Sequence, residues 1–272
     1  MDKNINKDLS QKIEKIESIL DNEKKIAVAY SGGVDSTFLL FIAGKTLGAE
    51  NVMAVTGNSF TIPGKEIEFC KKKTSEFGIK HIIVRTKEYL DESYLKNDYL
   101  RCYFCKIALF KTIRPYIPDG YKLSVGTNAE DEANFKDRPG MKAEKEFNVL
   151  SPLKKAGFFK NDIRNASKFF GLDTWDKPQM ACLASRIPFG NIVTEEKIKM
   201  VERAEDLLRQ NGFGEIRVRH YGKLAKIEVP IEQINNLMQY KSLSDIILKI
   251  KEIGFKTVAV DIEGMNHSGL NL

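Results

Sequence analysis

Ile26-Ala27-Val28-Ala29-Tyr30-Ser31-Gly32-Gly33-Val34-Asp35-Ser36 is the stretch whose reading decides the fold. The apolar run 26–30, the Ser/Gly turn and the apolar Thr37-Phe38-Leu39-Leu40-Phe41-Ile42 predict strand, tight loop and buried helix. Two adjacent glycines admit backbone conformations closed to other residues and let a ligand approach the main chain. Amides at the start of the helix then face that ligand, with the positive end of the helix dipole behind them. Ser31 and Ser36 add hydroxyls, and Asp35 is placed to hold Mg²⁺ against phosphate oxygens. The pattern reads as a pyrophosphate cradle. It is not a Walker loop, since G-x-x-x-x-G-K-[ST] occurs nowhere in the chain. A Ser/Gly turn that merely caps a helix is the plainer reading, and the order strand, loop, apolar helix argues against it.

Outward from this point, strands 26–30, 51–56, 80–85 and 121–126 alternate with helices 36–47 and 63–78, as in a parallel α/β sheet. An amphipathic helix over 7–22 precedes them, with Leu9, Ile13, Ile16 and Ile19-Leu20 on one face. A helical insert over 91–116 carries Cys102 and Cys105. A helix from 160 runs to Gly171, and Pro178 to Gly190 reads as an irregular loop. Helix 194–211, strands 215–220 and 225–229, helices 231–239 and 243–253 and strand 256–262 follow. The expected fold class is α/β: a parallel-sheet domain over 1–190 and a small C-terminal α+β domain over 192–272.

The 272 residues suffice for a core domain plus a smaller one. The formal net charge of +6 is modest, and the lysines are interleaved with glutamates, which argues against a nucleic-acid partner. No apolar run is long enough to span a bilayer, and the N-terminus lacks a signal-peptide core, so a cytoplasmic location is expected. In that compartment four cysteines point to metal or catalysis before disulfides.

Gly126-Thr127-Asn128-Ala129-Glu130-Asp131 closes the strand at 121–126, at the carboxyl end where open α/β sheets bind ligands. Alone it would read as an Asn/Asp turn capping a helix. Cys102-Tyr103-Phe104-Cys105 places two thiols one helical turn apart, and Cys182 stands in Met180-Ala181-Cys182-Leu183-Ala184-Ser185-Arg186-Ile187-Pro188-Phe189-Gly190. Three thiolates suit a [4Fe-4S] cluster with one open iron, or a Zn site completed by water. Plain apolar packing and a redox C-x-x-C are the remaining readings. Cys70 lies mid-helix without a near partner and reads as a small buried hydrophobe. Arg217 and Arg219 are two apart on a strand and leave one face, where guanidinium forks suit a phosphate, although each of these arginines, Arg186 included, reads equally as one half of a surface salt bridge. Arg186 is a third candidate. Glu202 and Glu205, on the preceding helix, are placed to orient the arginines or bind a cation, Glu205 being the better choice, and His220 reads as supporting structure.

S-G-G-x-D-S and G-T-N-x-[DE]-D together resemble the PP-loop ATP pyrophosphatases. With Arg138-Pro139-Gly140 after Asp137, Ser151-Pro152-Leu153, Trp175-Asp176-Lys177-Pro178, CLASRIP and Glu215-Ile216-Arg217-Val218-Arg219-His220, the chain resembles the LarE family across nearly its whole length. These are sulfur transferases of nickel-pincer nucleotide cofactor synthesis. The resemblance implies ATP and Mg²⁺ bound by Ser31, Gly32, Gly33, Asp35, Ser36 and Asp131, with Glu130 a further candidate for the acidic site, Thr56 at the strand end that reads adenine and Phe60 just beyond. It implies adenylation of a carboxylate of pyridinium-3,5-biscarboxylic acid mononucleotide and its conversion to a thiocarboxylate, with Asp35, Cys182 and Arg186 catalytic. The substrate phosphate would fall to Arg217, Arg219 and Glu205. Cys102, Cys105 and Cys182 together imply the type whose [4Fe-4S] cluster delivers sulfide; in the other type Cys182 gives up its own sulfur and becomes dehydroalanine. A sulfide-donating partner and a homo-oligomer are further implications. A PP-loop tRNA thiolase is the nearest rival; a synthetase of the GMP synthetase class and an ATP-binding regulatory module both leave the cysteines unexplained.

Overall fold

The computed structural model describes residues 6–133, 138–178 and 181–265; Asp137 and Met180 of the quoted motifs fall outside them. In chain order the elements are α1 (Lys7–Glu23), β1 (Ile26–Ala29), α2 (Val34–Leu47), β2 (Val52–Asn58), α3 (Gly64–Glu76) and β3 (Lys80–Arg85). Then come α4 (Glu92–Leu95), α5 (Arg101–Ile113), β4 (Lys122–Ser124), α6 (Ala129–Ala133), α7 (Gly140–Glu146), α8 (Pro152–Ala156) and α9 (Lys160–Phe169). The rest comprises α10 (Glu195–Gln210), β5 (Arg217–Tyr221), β6 (Leu224–Glu228), α11 (Ile234–Met238), α12 (Leu243–Ile253) and β7 (Thr257–Val260). The chain divides into two compact units, Met1–Asp91 with Leu100–Met180, and Glu92–Tyr99 with Ala181–Leu272. The second unit thus takes in Ala181–Gly190 and the detached segment 92–99, which the division drawn at 190 places in the first.

The first unit is built on a parallel sheet in the order β3-β2-β1-β4, as the α/β reading expects. Side chains alternate across it, and the burial follows that period of two. Ile26, Val28, Val52 and Ala54 share a core with Leu9, Ile13 and Ile16 of α1, Phe38 and Ile42 of α2 and Ile163 of α9. Ala27, Met53 and Val55 face the other way, onto Phe110 and Ile113 of α5. Helix α1 begins at an N-cap, Asn6, whose side chain accepts from the Leu9 amide at 2.8 Å. Helix α2 has no polar face, because it is covered by α1 on one side and α9 on another.

Strand β4 is shorter than the expected 121–126. Its pairing with β1 ends at Ser124, while on its other edge Leu150 bridges it, donating to the Leu123 carbonyl and accepting from the Val125 amide, each at 2.9 Å. The expected helix 231–239 begins as a short 3-10 turn over 231–233 after Pro230 and becomes α11 only from Ile234. Helices α7 and α8 fall where the sequence shows only loop prolines. Each opens on one of them, Pro139 and Pro152.

In the second unit β5 pairs antiparallel with β6, which pairs parallel with β7. Ala204 and Leu208 of α10 and Ile246 and Ile250 of α12 pack on Val218, Ala225 and Ile227. No described helix is long and apolar enough to cross a membrane.

Candidate functional site

At the carboxyl end of β1 the chain enters α2 through Ser31-Gly32-Gly33. Gly32 has φ +73°, and a Cβ there would lie 2.9 Å from Cys70 Sγ and 3.2 Å from the Phe69 ring, so glycine is required twice over. Gly33 is the N-cap and supplies no side-chain oxygen to the first amides of α2. Ser31 and Ser36 share a hydroxyl contact of 3.0 Å, which fixes the two ends of the loop on each other.

The loop after β4 lies directly beside this turn. A Cβ on Gly126 would come within 2.8 Å of the Ser36 amide nitrogen and 3.1 Å of the Asp35 carbonyl carbon. The two predicted nucleotide loops therefore meet, main chain against main chain. Asn128 joins them: its side-chain amide donates to Asp35 Oδ2 at 3.1 Å, and its Oδ1 accepts from the Asp131 amide at 3.0 Å. Asp131 accepts in return from the Asn128 amide and pairs with Arg138 at 3.0 Å.

Asp35 Oδ1 is buried with no hydrogen-bond partner. Burial, reinforced by the Asp131 carboxylate and opposed by Lys160 and the Asn128 amide, pushes the Asp35 carboxyl above the usual aspartate range. An orphaned, desolvated carboxylate oxygen beside a second carboxylate is a donor set that fits Mg²⁺, which binds through few carboxylates and keeps its remaining ligands for water and phosphate. Thr56 is buried, its hydroxyl donating to the Tyr30 carbonyl at 2.9 Å and meeting His81 Nε2 at 2.7 Å, so its side chain is engaged inside the sheet. Phe60 is partly exposed and stands edge-on to Tyr89.

The second unit gathers the candidate arginines. Glu205 is fully buried on α10 and accepts from Arg186 Nε at 2.8 Å, Arg209 Nη2 at 2.6 Å and the Val218 amide at 3.1 Å. Arg219 donates to Glu228 at 2.6 Å and to the Ser185 carbonyl at 3.2 Å, which ties β5 to the CLASR turn. Burial lowers the pKa of Arg217, and the neighbouring Arg186 and Arg219 guanidiniums lower it further. Two of these three guanidiniums are already held by carboxylates, Arg186 by Glu205 and Arg219 by Glu228, which is the salt-bridge reading of those arginines, here with the partners buried. Glu205 spends both its oxygens on holding this frame. His220 packs against the Phe255 ring, with centroids 5.2 Å apart.

All four cysteines carry thiols rather than disulfides. Cys102 and Cys105 stand in the first turns of α5, the former exposed and the latter half-buried. Cys182 is exposed at the N-cap of the 3-10 turn 183–186 in the second unit. Neither unit by itself holds all three, and among the described residues no three His, Cys, Asp or Glu side chains form a metal-holding group. Cys70 is buried beneath Gly32, and burial pushes its thiol up to about 11, which suits packing rather than ligation.

No family model matches the chain. Over 265 residues, 97% of this chain and 98% of the other, it is 37% identical to an uncharacterized protein of Synechocystis. It is 31% identical to pyridinium-3,5-bisthiocarboxylic acid mononucleotide synthase of Lactiplantibacillus plantarum, over 93% of this chain and 91% of that one. The chain belongs to the LarE family. A further relative, an uncharacterized protein of Methanocaldococcus jannaschii, is 31% identical over 88% of this chain.

Within this LarE family chain the structure adds residues that sequence reading missed. Asn128 carries the link between the 31–36 and 126–131 loops, although the G-T-N motif was its only signal. Glu144 of α7 accepts from Lys106, from the Thr127 hydroxyl at 2.8 Å and from the Ser151 hydroxyl at 3.3 Å, joining the cysteine-bearing helix to the G-T-N loop. Lys177 reaches the Gly32 carbonyl across 145 residues of sequence.

Proposed function

We propose that this protein is an ATP-dependent sulfur transferase that makes a thiocarboxylate on pyridinium-3,5-biscarboxylic acid mononucleotide. The relative named for the bisthiocarboxylic product supports the substrate. The observation that carries the chemistry is the contact of the 31–36 and 126–131 loops, with Asp35 Oδ1 orphaned between them. A carboxylate resists nucleophiles, so it must first be activated. Its oxygen attacks the α-phosphorus of ATP, pyrophosphate leaves, and the acyl adenylate carries AMP as leaving group. Sulfide then displaces AMP at the acyl carbon.

Gly33 and the first amides of α2 bind the pyrophosphate, with Ser31 and Ser36 as hydroxyl donors. Asp35 and Asp131 would hold Mg²⁺, which neutralises charge on the departing pyrophosphate. Arg217, Arg219 and Arg186 would hold the substrate phosphate, with Glu205 as the positioning residue beneath them. Cys102, Cys105 and Cys182, none of them buried as Cys70 is, would hold a [4Fe-4S] cluster. When bound, the cluster supplies sulfide at its iron without a cysteine ligand.

The test is pyrophosphate release from ATP-Mg²⁺ in the presence and absence of the bis-carboxylate nucleotide, with an iron and sulfide count on protein purified anaerobically. Substrate-dependent release is expected. Release that ignores the nucleotide, or appears only with tRNA, would overturn the assignment.

A further inference from the structure

Gly32 takes its left-handed conformation with a closed floor beneath it, formed by Cys70 and Phe69 of α3. Above that floor lies the Lys177 side chain. Its ammonium donates to the Gly32 carbonyl at 3.0 Å and to Glu66 Oε2 at 2.7 Å, and stands 3.7 Å from the Phe69 ring centroid. Its own backbone is fixed as well, because Arg164 donates to the Trp175 carbonyl at 2.7 Å and to the Lys177 carbonyl at 3.0 Å.

We propose that Lys177 is a positioning residue of the phosphate loop, which aims the Gly33 N–H at the pyrophosphate by holding the Gly32 carbonyl. The reason is peptide geometry. The Gly32 carbonyl and the Gly33 N–H belong to one planar trans peptide and point in opposite directions. A cation that fixes the carbonyl on the α3 side therefore fixes the N–H on the other. Between two glycines that peptide has little steric preference of its own, so without a hold it flips freely and presents carbonyl oxygen to phosphate in part of the population. Glu66 keeps the ammonium in place and balances its charge, so Lys177 acts through the loop rather than as a phosphate ligand. This rests on the nucleotide-binding reading above, and it names a residue from Trp175-Asp176-Lys177-Pro178 that the reading left without a role.

The experiment is calorimetric titration of the full chain with ATP-Mg²⁺ and, separately, with adenosine, for the wild type, Lys177→Met and Glu66→Gln. One misaimed amide donor to a charged phosphate corresponds to about a tenfold loss of affinity. Lys177→Met is expected to weaken ATP about tenfold and leave adenosine unchanged, with Glu66→Gln weakening ATP by a smaller factor. With ¹⁵N-glycine labelling, the Gly33 amide signal is expected to shift on ATP binding in the wild type and to lose most of that shift in Lys177→Met. Equal loss for ATP and adenosine would mean a general structural role and overturn the proposal. So would tighter ATP binding by Glu66→Gln, which would mark Lys177 as a restrained phosphate ligand. If Lys177→Met does not fold, Glu66→Gln and the glycine signal still decide. A wild type that binds no ATP would instead remove the nucleotide site itself.

Discussion

Replacing Glu205 by alanine removes the acceptor at the centre of the second unit. Three donors converge on this carboxylate, whose side chain has no exposed surface. The Val218 amide would be left buried and unpaired, at about 1–3 kcal/mol. The Arg186 side chain, only 9% exposed, would keep its charge without a counter-ion. Breaking such a buried pair costs roughly 3–5 kcal/mol, and that figure already includes part of the unpaired-donor penalty. Arg209 is 25% exposed and retains Asp206 at 2.9 Å, so its share is small. About 4 kcal/mol is the expected loss for Glu205→Ala, a large fraction of a domain's stability. Glu205→Gln keeps an oxygen for Val218 and Arg186 and turns an amide donor toward Arg209, which can swing away. Its expected cost is about 1–2 kcal/mol. Urea unfolding of the full chain, with hydrogen exchange of the β5 peptide as the local probe, measures both variants. Exchange at Val218 should quicken far more in the alanine variant. A cost below about 1 kcal/mol for Glu205→Ala, or equal costs for the two variants, would refute the argument that this carboxylate pins the arginine frame.

Three other predictions concern the first unit and the thiols. Asp35→Asn should abolish pyrophosphate release yet raise the melting temperature of the nucleotide-free protein at neutral pH. Burial holds the folded-state pKa above the ordinary 3.8, so stability is fullest below that value and is lost as pH rises through the folded pKa; the gain from Asn should vanish in acid. A variant no more stable than wild type at pH 7 speaks against the buried charge. Gly126→Ala puts a methyl carbon 2.8 Å from the Ser36 amide, a main-chain obstacle that cannot rotate away. The expected cost is about 1–3 kcal/mol with a raised KM for ATP, and an unchanged KM would show that the two loops do not need to touch. Serine at Cys102, Cys105 or Cys182 should lose the brown chromophore and multiple-turnover sulfur transfer, whereas Cys70→Ser should keep the chromophore. A dehydroalanine at position 182 after one turnover, with Cys102 and Cys105 dispensable, would instead assign the sulfur to Cys182 itself.

The sequence alone determined the parallel sheet, because period, propensity and turn chemistry agree over β1, β2 and β3: apolar β-branched runs bounded by Gly, Asn and Lys leave few other solutions. The Ser31 to Ser36 turn between β1 and α2 was legible too, since its Ser/Gly signal lies within six contiguous residues. Strand β4 was read too long because an apolar run does not mark where a strand loses its partner: the ladder with β1 stops at Ser124. Tertiary structure alone decided which side chains meet across long separations. Asn128 finds Asp35, Lys177 finds Gly32, and Glu205 finds Arg186 and the Val218 amide. Nothing in local spacing announces such partners. They are selected because each buried polar group must be satisfied, and only the assembled fold shows which groups are buried and which donor lies within reach. Glu205 makes the division plain: its position on a helix face was legible in the sequence, while its complete burial, and hence its role as an anchor rather than a surface charge, was fixed by the packing of α10 on β5.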